Sequence, residues 1–478
     1  MTNRFRIGTN RRAHRFAALG VAAALSFTVA CDADQILEVE DIDVASPESV
    51  SDPAALPAVL AGAIGDFGNA YNGGGDFNQI TLAGQLSDEL YNTETFPTRI
   101  ENDQRRQQYQ SNGSLQGLFY STMQARASAD RAAESYVRLE SETNIGLAEA
   151  LNLSALTYIL LAENYCNAVP ISTLDASGNF VFGEALTTTE LLDAAVRKAD
   201  SALANATATG GVGAAAKRTE QGRLARIVKA RALLNLNRPA DAATAIGGET
   251  GVPTTFQYNY THSETTGRQN NGTWGVTASV GRFGVPDREG VNGLPFQSEG
   301  NTAGTVKDPR VANAVRSGNG RGFDNTTTQF IQLKYPARAS VVTIADGVEA
   351  RLIEAEAALR AGNAASALTI LNALRSNSAL LTLRGYTGTL APLTLAGTPA
   401  AQADQLFKER AYWLYLTSHR LGDLRRLVRQ YSRSAESVFP SGSYHKSGTY
   451  GTDVNSPIPQ AEDNNPNFDR AGCVATQA

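Results

Sequence analysis

Apolar residues recur every three or four positions in a series of stretches separated by polar, glycine-rich segments, a spacing that lines one face of a helix. It predicts helices over Ala54 to Gly68, about Leu82 to Tyr91, Leu115 to Glu140, Leu147 to Tyr165, Thr189 to Ala206 and Gln221 to Leu236. End signals agree: Glu190 stands in a first turn opened by threonines, and Asn237 and Pro239 close the last of these helices. A further helix is expected from about Ala401 to Tyr431, with Leu406, Phe407, Leu414 and Leu421 toward one face. Within it Arg420 and Asp423 stand three apart, where a salt bridge along the helix can form. Only Phe256 to Tyr260 and Gln329 to Tyr335 read as short β-like runs.

Two of the helical stretches are copies of one unit. Arg226 to Ile246 aligns without gaps on Arg351 to Leu371, with Ala230 on Ala355, Leu234 on Leu359 and Ala240 on Ala365. Each copy reads as helix, short turn, helix, with small residues where two helices would touch, as in tetratricopeptide hairpins. Such units pack by stacking on one another. The fold class is therefore mostly α: tetratricopeptide-like helical hairpins carrying long irregular loop insertions and minor β. Between the copies, Gly247 to Thr343 is rich in glycine, asparagine and threonine and holds Trp274, Phe283, Phe296, Phe323, Phe330 and Tyr335. So long an irregular insertion is usually functional. The ligand-facing surface is expected there and in Tyr71 to Arg106, whose turns carry Phe77, Tyr91 and Phe96.

The amino terminus changes the picture of where the protein works. Five arginines within residues 1–15 precede an apolar run from Phe16 to Ala30 and then Cys31, the order of an export signal. Residues 1–30 read as a signal peptide, and Cys31 as the lipidated first residue of a bacterial lipoprotein; residues 31–478 read as one domain. Removing the signal takes away five arginines and no acid, so the net charge falls from −5 to −10. That argues against nucleic acid and against charge-based attachment to anionic lipid. No second run of eighteen apolar residues is apparent, so attachment through lipid is expected rather than a spanning helix. The two remaining cysteines, Cys166 and Cys473, sit in an exported chain, where a pair of thiols tends to become a disulfide.

The C-terminal stretch carries a resemblance. Glu409, Arg410, Arg420, Asp423, Leu424 and Arg426, then Pro457, Ile458, Pro459, Glu462, Asn465, Pro466 and Asn467, match the C-terminal signature of the SusD/RagB family of outer-membrane nutrient-binding lipoproteins. The sequence departs from that pattern at Trp413 and Thr417, where the family often has acids, and at Ser418, where it has glycine. The resemblance implies a SusD-like scaffold with the signature over about 401–478, its arginines and aspartate tying the last long helix to the tail. It also implies a surface lipoprotein of the outer membrane that binds oligosaccharide, or alternatively peptide, and passes it unchanged to a TonB-dependent, SusC-like barrel. The competing reading is a lipid-anchored helical-repeat scaffold that binds only protein partners.

Candidate chemistry fits binding better than catalysis. There is no HExxH, no cysteine pair at metal-ligand spacing, no GxSxG and no phosphate or dinucleotide loop, so neither a metal nor a cofactor is expected. Asp88 and Glu89 could be proposed as a glycosidase pair, but adjacent residues on a helix point apart. Aromatic faces beside polar donors suit sugar rings and extended peptides alike. Tyr91, Phe96, Arg99, Trp274 and Arg282 are the expected ligand residues, led by Trp274 in the small-residue setting NNGTWGVT. Trp413, in the signature helix, is expected in the core.

Overall fold

The computed structural model describes residues 52–478 apart from 76, 108–111, 140, 176–178, 303–304 and 387. The signal peptide and Cys31 lie outside the described residues. From Leu56 onward the chain forms one unit. Helices α1 (Leu56–Asn72), α2 (Gln79–Leu86), α3 (Pro97–Asp103), α4 (Gly113–Arg138), α5 (Ile145–Asn164), α6 (Thr188–Thr207) and α7 (Ala215–Asn235) follow the apolar spacing closely. Capping explains the starts: Thr187 and Glu190 close a reciprocal capping box on α6, and the Asn112 and Asn144 side chains accept N–H bonds at α4 and α5. α5 is the hub, packed on α1, α4, α6 and α7. Its mean hydropathy of 1.6 over a window within 20 residues makes it long and apolar enough to cross a membrane, contrary to the sequence expectation, but that window is 94% buried.

The internal repeat is realised as stacked hairpins. The first copy is α7 with α8 (Pro239–Ile246); the second is α9 (Gly347–Arg360) with α10 (Ala364–Ser376). α8 packs directly on α9, so copies separated by the long insertion are neighbours in space. The insertion leaves and returns through one antiparallel pair, Gln257–Tyr260 against Val342–Asp346, with a register shift between Thr343 and Ala345. The second of these strands runs straight into α9, whose first turn is capped by the Asp346 side chain. Within the insertion the runs are short: Phe330–Gln332 pairs with Asn313–Val315, and brief helical turns occupy Gly272–Ser279 and Phe296–Gly300.

The expected long C-terminal helix is broken. It comprises α11 (Pro399–Trp413) and α12 (Arg420–Tyr431), joined by a turn in which Leu416 (φ 51°) and Ser418 (φ 59°) are left-handed. A left-handed backbone favours glycine, so Ser418 occupies its glycine-type position at some conformational cost. Of the signature charges, Arg420 does not pair with Asp423 three residues on, as the spacing predicts; Arg426 does. Arg410 makes a two-bond pair with Asp423 (2.8 and 3.0 Å), Arg426 bridges Asp423 (2.8 Å) and Glu356 of α9 (2.5 and 3.0 Å), and Arg420 reaches Asp88 (2.6 and 2.9 Å). These side chains are almost fully buried. They tie the two halves of the signature to the second repeat and to the segment after α2, rather than to the tail. The tail is held separately: Ser456 N–H donates to the Asn164 carbonyl, and Cys473 is joined by a disulfide to Cys166 just beyond α5.

Asp88 and Glu89 lie not on a helix but just past α2, and both are buried. Glu89 accepts the Leu416 N–H (2.9 Å) in the left-handed turn. Burial, opposed by that N–H and aided by Asp88, pushes its carboxyl from an ordinary 4.5 up to about 8. A raised acid binds a proton more tightly when folded, so its contribution is fully present below pH 4.5 and is lost as pH rises toward 8. Lys334, pushed down to about 7 by burial and by Arg384, acts with the opposite slope above that pH.

Two outcomes follow from this buried charge. Between pH 5 and 7 the wild type loses stability relative to Glu89→Gln by about 2 kcal/mol, read from urea denaturation at each pH; a constant difference refutes the assignment. Asp423→Ala leaves Arg410 and Arg426 without that carboxylate and lowers stability by about 3–5 kcal/mol in the same assay.

Candidate functional site

The site is assembled by three backbone segments laced together. Tyr91–Asn92 pairs antiparallel with Phe283–Gly284. The lacing continues as Thr93 N–H donates to the Arg282 carbonyl (2.8 Å), Thr93 Oγ1–H to that of Gly281 (2.9 Å), Phe323 N–H to Gly281 (2.7 Å) and Asp324 N–H to Thr93 (3.0 Å). Two glycines permit this. Gly281 is left-handed (φ +80°), and a Cβ on Gly322 would lie 2.4 Å from Thr93 Cβ. Lys446 reaches in from the loop after α12 to donate to the Glu94 carbonyl (2.7 Å) and to Asp324. Although partial burial opposes it, this lysine and the Thr326 and Thr327 donors hold the Asp324 carboxyl well below the usual range.

On this frame stand three half-exposed rings around two guanidinium groups. Phe77, Phe96 and Phe323 are 44%, 42% and 44% exposed. Phe96 and Phe323 have centroids 6.4 Å apart, and the Arg282 guanidinium lies 5.0 and 5.2 Å from them. Arg99 lies 4.5 Å from Phe96 and 5.9 Å from Phe77. Beneath them sits Glu94, fully buried, 2.6 Å from Arg99 and 3.6 Å from Arg282. A buried carboxylate facing two arginines fixes both guanidinium planes, and each plane braces a phenylalanine by cation–π contact. The result is a shallow, rigid aromatic surface.

Of the residues expected from sequence, Phe96, Arg99 and Arg282 are brought together here. Arg99 is only 2% exposed, so it supports the rings instead of meeting a ligand, because Glu94 five residues earlier draws its guanidinium inward. Tyr91 lies in the strand pair of this frame and is not one of the three rings, and its hydroxyl donates to the Thr328 carbonyl. Trp274 is half-buried against the main core, with Arg338 5.4 Å from its ring, and does not join the three-ring patch; its small neighbours do not leave it free. Trp413 is fully buried, and so is Tyr71, whose hydroxyl donates to the Thr417 carbonyl. Phe77 and Phe323 stand among the loop aromatics named from sequence but not among the chosen ligand residues, and Glu94 is not named there; the one signal is an aromatic or acidic residue amid glycine, asparagine and threonine.

Among the described residues, two of the clefts elsewhere bear on this assignment. One of about 540 Å³ is enclosed by the strand pair at the base of the insertion, α9 and the left-handed turn. Its charges engage each other, Arg384 with Asp346 and His419 with Glu349 (3.1 Å), so it is wired into the scaffold. The other, about 500 Å³, is an apolar groove between α4 and the hairpin Thr173–Leu174/Phe180–Val181, edged by Tyr120, Phe180 and Phe182.

No protein-family model and no curated protein matches the sequence. Solved structures do share the fold. A SusD-like carbohydrate binding protein from Bacteroides fragilis NCTC 9343 aligns over 88% of this chain and 99% of its own, at 15% identity and TM-score 0.59. A SusD-like carbohydrate binding protein from Bacteroides vulgatus ATCC 8482 aligns over 87% and 97%, at 13% identity and TM-score 0.58. A laminarin binding SusD-like protein aligns over 82% and 96%, at 14% identity and TM-score 0.56. The chain has the SusD-like fold.

The asymmetry of the patch is testable by stability alone. Glu94→Ala removes the carboxylate facing both arginines and is expected to cost about 3–5 kcal/mol, whereas Phe96→Ala, removing a half-exposed ring, costs about 1 kcal/mol or less. Equal losses in chemical denaturation would contradict the arrangement.

Proposed function

We propose that the protein captures oligosaccharides at the outer-membrane surface and hands them, chemically unchanged, to a TonB-dependent barrel. The observation that carries this reading is the surface of Phe77, Phe96 and Phe323 braced by Arg99 and Arg282 over buried Glu94. Sugar rings present apolar C–H faces that stack on such rings, while their hydroxyls need polar neighbours, which the 18%-exposed Arg282 side chain supplies. Preorganised rings lose little entropy on binding, and a shallow surface releases its cargo, as capture and transfer require. The SusD-like fold supports the reading, since solved proteins that share it are described as carbohydrate binding and laminarin binding. Attachment is proposed through a lipid on Cys31, which follows the export signal.

The test is calorimetric titration of the purified protein with laminarin-derived and other oligosaccharides and with extended peptides. The double variant Phe96→Ala/Phe323→Ala should weaken oligosaccharide binding at least about tenfold, roughly 1.4 kcal/mol, with its melting temperature little changed. Undiminished oligosaccharide binding by the variant moves the site elsewhere, binding of peptides alone reassigns the cargo, and binding of neither favours the protein scaffold.

A further inference from the structure

Behind the lacing strands lies a cluster that the ring surface does not use. Asp103 ends α3, Glu289 lies in the insertion after Phe283–Gly284, and His445 lies in the loop beyond α12. One ligand atom from each lies within 4.8 Å of those of the other two. Asp103 is fully buried and Glu289 is 6% exposed, whereas His445 opens to solvent.

Each acid is half-satisfied in the same way. Asp103 Oδ2 accepts the Asn92 N–H (3.0 Å) and the Tyr444 hydroxyl (2.6 Å), and Oδ1 has no hydrogen-bond partner. Glu289 Oε1 accepts the Tyr450 hydroxyl (2.9 Å), and Oε2 has none. Two buried carboxylates, each with one fixed and one unused oxygen, are costly to keep charged, and a cation between them would satisfy both unused oxygens. The cations at hand are engaged elsewhere, Lys446 by Asp324 and Arg105 by Glu436. Nε2 of the histidine lies 2.8 Å from the Asn92 carbonyl, which can only accept, so Nε2 carries the proton and Nδ1 keeps the lone pair a metal would need.

We propose that Asp103, Glu289 and His445 bind a divalent transition-metal ion, zinc being the best match to two carboxylate oxygens and one imidazole nitrogen. Calcium and magnesium prefer shells of oxygen alone, whereas imidazole suits zinc. Zinc at about 2.0–2.2 Å from tetrahedral ligands sets them about 3.3–3.6 Å apart, within reach of small side-chain rotations here. Water takes the fourth position from the open His445 side. The ion would pin α3, the insertion and the C-terminal loop together beneath the Tyr91 ring, which packs on His445 at 5.1 Å.

The test uses the full chain stripped with EDTA and titrated with zinc chloride, calcium in parallel. One zinc per chain at micromolar Kd or tighter, with a melting temperature raised by several degrees, is the expected result. His445→Ala, altering an exposed side chain, and Glu289→Gln, isosteric with the acid, should each weaken zinc binding at least tenfold. No zinc uptake by the folded wild type overturns the site, as does uptake equal in both variants, and binding of calcium but not zinc overturns the assignment of the ion.

Discussion

The structure depends on charge taken out of water and paired where the signature helices meet the second repeat. Asp423 is held between Arg410 and Arg426, Arg426 continues to Glu356, and Tyr431 adds a hydroxyl to the same glutamate (2.8 Å). Burial alone would raise the Asp423 carboxyl, yet the two arginines hold it well below its ordinary value. Each such ion is expensive to desolvate, so the network is tolerable only when every member is in place. That makes it an all-or-none junction between the signature helices and the second repeat hairpin. Arg420 extends the junction to Asp88, and Glu89 receives the left-handed turn; two residues later the chain enters the strand that leads to the ring surface. The C-terminal charges thus anchor the segment from which the rings project.

The ring surface itself is built from segments far apart in sequence, around 77, 94–99, 282 and 323. Its stiffness has one source, a buried glutamate addressed by two arginines. Rings fixed in advance would spare the proposed capture step the cost of ordering them.

Helices and the repeat were legible because burial of one face imposes a period that survives in the sequence, and small residues at Ala230/Ala355 and Ala242/Ala367 are buried in both copies. The break at Leu416–Ser418 was not legible, since Tyr412 to Leu416 is an unbroken apolar run and the turn is imposed by Glu89 from elsewhere in the fold. Val342–Asp346 was missed as a strand because it runs directly into a helix and shows its role only when paired with Gln257–Tyr260. Phe96 and Arg282 could be chosen from loop composition, but nothing local distinguishes exposed Phe323 from half-buried Trp274, or shows that Glu94 would draw Arg99 inside. Asp103, Glu289 and His445 escape any spacing rule because three separate segments deliver them.

The strand pair at the base of the insertion has a consequence for how such a protein can change. Tyr260 and Val342 are direct partners across the pair, so some eighty intervening residues begin and end at neighbouring points on the scaffold. The hairpins on either side touch directly through α8 and α9. Loops of the segment that stay clear of the core, unlike Phe296 and Arg310, which pack on the signature helix, could therefore vary without moving the two points at which it joins the helical frame.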